Sequence, residues 1–139
     1  MKLCDDVITV FNAGVDAETG DGVWRGTVLR GASWHRSDAS AVDAARGGLV
    51  SASRCVCRIP EGVDADGRTY VDPLAYARAE DPGELWTLAG GDVIVRGEVR
   101  GEGWTPALLM KAWPERMCVL SVTDNRRAPR APHFRVVGT

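Results

Sequence analysis

Glycine and proline cut this chain into short runs, and those runs are built from β-branched and aromatic residues. Val7-Ile8-Thr9-Val10-Phe11-Asn12 reads as a strand and is followed by turn chemistry from Ala13 to Gly22. Val23 to Arg36 then reads as a long strand. Trp24, Val28, Ala32 and Trp34 share one parity, Arg25, Thr27 and His35 the other, and Leu29 breaks the polar side. Gly26 and Gly31 suggest bulges or bends within it. Ser37 to Gly48, small and polar, reads as a loop or mobile flap before a strand from Leu49 to Ile59, which Pro60 ends.

Two short helices interrupt the β pattern. Asp72 is placed as an N-cap with Pro73 at the first helical position, for a helix through Ala79. Thr105 and Pro106 repeat that signature for a helix running to about Trp113, which Pro114 stops. Leu108, Leu109 or Trp113 is expected to dock this helix on the sheet. Leu85 to Leu88, Val93 to Val99, Met117 to Thr123 and His133 to Val137 complete about seven strands. The pattern predicts a mainly β fold, a small barrel or sandwich with one or two short helices. The 139 residues form a single β-barrel-like domain in this reading, with long loops near 13–22 and 37–48 and a C-terminal arm over 124–139.

Apolar residues at 45% and charged residues at 26% exclude wholesale disorder, and a net charge of −2 carries no global bias toward nucleic acid. No apolar run is long enough to span a membrane. Asp5 and Asp6 stand where a signal peptide needs apolar residues, so no secretion signal is expected. Arginine outnumbers lysine fifteen to two. That reads either as GC-rich coding or as a surface for bidentate contacts with carboxylates and phosphates.

Catalytic and metal chemistry find little to stand on. Cys55-Val56-Cys57 puts two thiols on one strand face, but Cys4 and Cys118 form no second close pair, so buried, reduced, metal-free core cysteines are expected. His35 and His133 lie in no nucleophile motif. Asp64 and Asp66, in D-A-D-G-R, lack the later ligands of a calcium loop and read as a turn. Gly90-Gly91-Asp92 lacks the lysine and following helix of a phosphate loop and reads as a hairpin turn. No catalytic, cofactor-binding or metal residue is assigned. Five tryptophans among nine aromatics read as core packing, or, with interleaved arginine, as a single-stranded nucleic-acid surface. The segment RRAPRAP carries Arg126, Arg127 and Arg130 with no acid after Asp124. It reads as an extended arm, either solvated or reaching an acidic neighbour, which makes these arginines candidate inter-subunit contacts.

The order of motifs resembles a family of small virion proteins from the head–tail gene cluster of tailed phages and prophages of gut Gram-positive bacteria. The matching stretches are MKLCDDVITVFN at the start, WRGTVLRGASWH at Trp24 to His35, VCRIP at Val56 to Pro60, WTLAGGDVIVRGEV at Trp86 to Val99 and SVTDNRRAPRAPHFRVVG at Ser121 to Gly138. The layout is also similar to phage head–tail joining, or stopper, proteins. Gly91-Asp92-Val93-Ile94-Val95-Arg96-Gly97 and His133-Phe134-Arg135-Val136 stand for their strand pair and closing strand, and the helix at Thr105 to Trp113 is a departure. The resemblance implies a non-enzymatic connector, stopper or neck component, located in the virion and, during assembly, in the host cytoplasm. Its implied partners are its own copies in a ring, virion proteins on the portal and tail sides, and packaged DNA touched without sequence readout, with no cofactor and no membrane. A tail terminator, another minor structural protein and a single-stranded nucleic-acid-binding barrel are the alternatives.

Overall fold

A computed structural model describes residues 5–43 and 48–139. Six strands close an antiparallel barrel: β1 (Asp6–Val15), β2 (Gly22–Asp43), β3 (Gly48–Pro60), β8 (His133–Gly138), β7 (Arg116–Asn125) and β6 (Val93–Arg96), which pairs back with β1. Two short strands, β4 (Thr69–Tyr70) and β5 (Leu85–Trp86), form a separate parallel pair. The helices are α1 (Pro73–Arg78) and α2 (Pro106–Ala112), with one 3₁₀ turn at Pro82–Glu84. The mainly β expectation is met as a closed barrel. Among the described residues no helix is long and apolar enough to cross a membrane.

Both helices start where local chemistry places them. The Asp72 carboxylate accepts from the Ala75 N–H at 2.9 Å, and the Thr105 hydroxyl accepts from the Leu108 N–H at 3.2 Å, each satisfying an orphan donor of a first turn. A proline follows each cap, where its missing N–H costs nothing.

The core has two layers, on either side of the barrel wall. Ile8, Val10, Leu29, Ile94, Met117 and Val136 fill the interior with Cys55, Cys57 and Ile59. On the outer face of β1 and β6, Phe11, Val93, Val95 and Val99 bury Leu109 of α2, with Trp24, Trp104 and Trp113 packed around them. Leu109 is fully buried while Leu108 points to solvent, so of the three docking candidates Leu109 is the anchor.

The single parity read along β2 is corrected by Gly31. The β1–β2 register slips there, between the pairs Asp6–Ala32 and Val7–Arg30, and Gly31 takes φ +100°, a left-handed value that suits a residue without a Cβ. Before the bulge Leu29 faces inward and Trp24 outward; after it Ala32 and Trp34 face inward. Leu29 therefore follows the alternation, and Trp24 and Trp34 belong to opposite layers.

Two expected loops shrink. β1 and β2 extend over part of 13–22, leaving 16–21 as the connection, where Asp16 accepts from the Glu18 and Thr19 N–H groups. Over 37–48, β2 continues to Asp43 and β3 begins at Gly48, so strand replaces loop; residues 44–47 lie outside the described residues. The C-terminal arm is not free either. β7 runs to Asn125, and β8 is inserted between β3 and β7, which leaves only the hairpin loop 126–132.

Candidate functional site

Of the three arginines named from sequence, the structure separates Arg126 from the others. Its guanidinium grips Asp124 with two contacts, Nε to Oδ1 at 3.0 Å and a terminal nitrogen to Oδ2 at 2.8 Å. The same group stacks over Tyr70 and Phe134, 5.1 and 4.8 Å from their ring centres. Asp124 is held low, at about 2, by these bonds. The expectation of a cation without a local acid therefore fails for Arg126, because the hairpin folds it back onto its own strand. Arg127 and Arg130 are exposed in the loop, and their side chains make no ion pair or hydrogen bond among the described residues.

Arg126 caps an aromatic plug. Tyr70 lies 5.1 Å from Trp86 and 4.5 Å from Phe134, ring centre to ring centre, and these rings pack on the barrel interior. None of the five tryptophans is exposed. Packing uses all of them, and no free indole face is offered to a base.

Sequence reading missed a polar node beside the interior core. Asn12 lies on the inward face of β1, fully buried, and its amide clamps the segment before β6. Asn12 Nδ2 donates to the Thr87 carbonyl and to Asp92 Oδ2, both at 2.8 Å, while its Oδ1 accepts from the Thr87 N–H at 3.2 Å. Asp92 Oδ2 also accepts from the Ala89 N–H at 2.9 Å, across the turn that Gly91 makes at φ +90°. Burial pushes the Asp92 carboxyl up to about 6 against these donors. The Gly90-Gly91-Asp92 turn is thus a hairpin turn, as read, with its aspartate turned inward as a tie. The partners are 75 and 80 residues apart, so no local pattern announces them.

Other sequence candidates resolve into structure. Asp64 Oδ1 accepts from the Asp66 N–H at 3.0 Å, and Asp66 pairs with Arg100 at 2.7 Å, so D-A-D-G-R is a turn. Cys55 and Cys57 are free and buried on one inward face, and burial raises Cys55 to about 11, leaving it a thiol. Cys118 is free but exposed, which corrects the expectation of buried cysteines at that position; Cys4 lies outside the described residues. His133 is oriented by the Ala131 carbonyl at 2.8 Å and the Asn125 amide at 3.5 Å.

The most distinctive surface feature is the extension of β2 and β3. β1 releases β2 after Ala32, and β8 releases β3 at Cys55. Seven pairs, from Ser37–Arg54 to Asp43–Gly48, continue as a two-stranded ribbon roughly 20 Å long. Among the described residues this ribbon pairs with no third strand. Its sequence, SDASAVD and GLVSASR, has Val42, Leu49 and Val50 as its large apolar residues, the rest being small or polar apart from Arg54.

A model for a family of unknown function, DUF6751, matches residues 3–139 of the chain. No curated protein and no solved structure matches it.

Proposed function

The chain belongs to DUF6751, a family of unknown function, and from its barrel and ribbon we propose that it is a non-enzymatic ring subunit of a tailed-phage head–tail connector, of the stopper or neck type. The observation that carries this reading is the ribbon. A closed barrel has no free edges and is self-sufficient, whereas an isolated two-stranded hairpin is marginal in water and presents two open edges. A neighbouring copy around a symmetry axis would pair or cover those edges, which is the heterologous contact of a ring. Arg127 and Arg130, exposed and without an ion pair among the described residues, add charged contacts toward portal-side or tail-side proteins. The inward thiols of Cys55 and Cys57, the packed tryptophans and the His133 ring held by its own loop support the non-enzymatic side of the reading.

The test joins Ser37 to Arg54 through a two-residue turn, removing the ribbon. The wild-type chain is expected in purified tailed particles by mass spectrometry, and the shortened chain is expected to stay soluble and fail to enter them. Absence of the wild-type chain from particles, or normal incorporation without the ribbon, overturns the proposal.

A further inference from the structure

The outer face of the β2–β3–β8–β7 sheet carries unpaired arginines. Arg58 on β3 and Arg135 on β8 stand directly opposite each other, both pointing away from the interior that Cys57, Ile59, Phe134 and Val136 fill. Directly opposed like charges destabilise a sheet, so this pair is placed against the fold's own interest. Arg54 lies on the same face of β3, four residues along, and Arg127 and Arg130 stand in the loop beside the start of β8. None of these five side chains makes an ion pair or hydrogen bond among the described residues. Where β3 pairs with β8 and β8 with β7, no carboxylate occupies an outward position among the described residues; Asp38 and Asp43 lie further along β2 in the ribbon, Glu61 is just past β3, and Asp124 is bound to Arg126.

We propose that this face binds the phosphodiester backbone of double-stranded DNA without reading its sequence. Guanidinium groups stay charged and meet phosphate oxygens in bidentate geometry. The positions flanking the pair are Ser33, Thr123, Asn125 and His133, all short polar groups of the kind that contact phosphate. An acidic protein partner fits less well. Protein interfaces centre on aromatic or large aliphatic anchors, whereas the apolar residues flanking the arginine pair on β3 and β8 are Val56, Val137 and Pro60, half-buried or buried within the sheet, and the exposed Leu120 stands apart from it at the β7 bulge. A single strand fits less well again, since no exposed tryptophan is available for stacking. The net charge of −2 makes the asymmetry meaningful: the attraction is local to this face, because the molecule as a whole repels DNA. The inference stands on these residues and not on the connector reading, although in a connector the same face would line the channel. The two fail separately, since duplex binding needs no particle and incorporation needs no DNA.

The experiment is fluorescence anisotropy of a labelled 30-base-pair duplex with the purified full chain, from 20 to 200 mM NaCl. Salt-dependent binding is expected, equal for unrelated sequences. Arg58→Gln with Arg135→Gln is expected to weaken it about tenfold at low salt and to flatten the log–log salt slope by roughly one to two. Arg96→Gln, in the separate Asp6–Arg96–Glu115 cluster, is expected to leave binding unchanged. Relief of the opposed charges is expected to leave the double variant's Tm equal to or above wild type, so lost binding is not lost folding. No binding at 20 mM NaCl, equal loss in Arg96→Gln, tighter binding of a single strand, or displacement of duplex by polyglutamate at equal charge overturns the proposal, the last in favour of an acidic protein.

Discussion

Asp92 is the residue on which the barrel's closure and its pH behaviour meet. Removing its carboxylate leaves the Ala89 N–H and one Asn12 amide proton buried without an acceptor, at a cost of about 1–3 kcal/mol for Asp92→Ala. Its folded pKa is raised to about 6 from an ordinary value of 3.8, with burial as the largest cause. Between those values the folded state holds a proton that the unfolded state has released. Asp92 therefore penalises folding above pH 6, and the penalty fades as pH falls toward 4, by an amount on the order of 2–3 kcal/mol. Asp124 works in the opposite sense and in another window, since its stabilising bonds to Arg126 are lost only as pH falls from about 4 toward 2. Denaturant melts of wild type and Asp92→Asn at pH 7, 6, 5 and 4 check this. The wild type should gain stability relative to the variant on acidification, and parallel curves would show that the carboxyl does not titrate in that window. None of this was legible in the sequence. The turn was, because two glycines before an aspartate are local information, but the inward aim of Asp92 depends on Asn12 across the barrel.

At the scale of elements, legibility follows the range of the signal. Both helices were readable because an N-cap and a following proline lie within two residues of each other, and neither depends on the rest of the chain. Their docking was readable only as a choice among three side chains, which the outer face of β1 and β6 decides. Leu109→Ala should cost roughly 2–5 kcal/mol, because the fully buried side chain leaves a cavity between Phe11, Val95 and Val99; Leu108→Ala, on the exposed side, should cost far less. Comparing the two by thermal melts separates packing from helix propensity. β2 misled in two ways. A glycine bulge reversed its parity, so the alternation had to be read in two halves. Beyond Ser37 the residues are mostly Ser, Ala and Asp, which carry little strand propensity and read locally as a loop. Among the described residues no strand pairing joins ribbon to barrel beyond the junction, so a chain with Ser37 joined to Arg54 should melt within a few degrees of wild type. A collapse of Tm would show that residues 38–53 contribute to the barrel's own stability.

The whole molecule divides into a closed barrel and a two-stranded ribbon that continues from it. The barrel closes all six strands and fills its interior, and a second layer under α2 covers one flank. The ribbon pairs with no third strand among the described residues, and fixing its backbone costs about 1–2 kcal/mol per residue, more than one two-stranded ladder offsets in water. Ordering it fully therefore requires another chain to supply the surface, so its protection should depend on assembly. The chain alone is expected to be a monomer near its mass of 14.9 kDa, with amides over 37–43 and 48–54 exchanging rapidly while those of β1 and β6 are protected. In the proposed connector, ring formation should then require the preceding ring of the particle as a template, where ribbon edges, Arg127 and Arg130 would all find partners at once. Light scattering and hydrogen exchange on the purified chain check the first half of this, and the same exchange measured on assembled particles checks the second. A closed ring formed by the purified chain at micromolar concentration would contradict the assembly order. Slow exchange throughout the ribbon of a monomer would show that it is ordered without a neighbour, and the argument from ribbon to ring would fall with it.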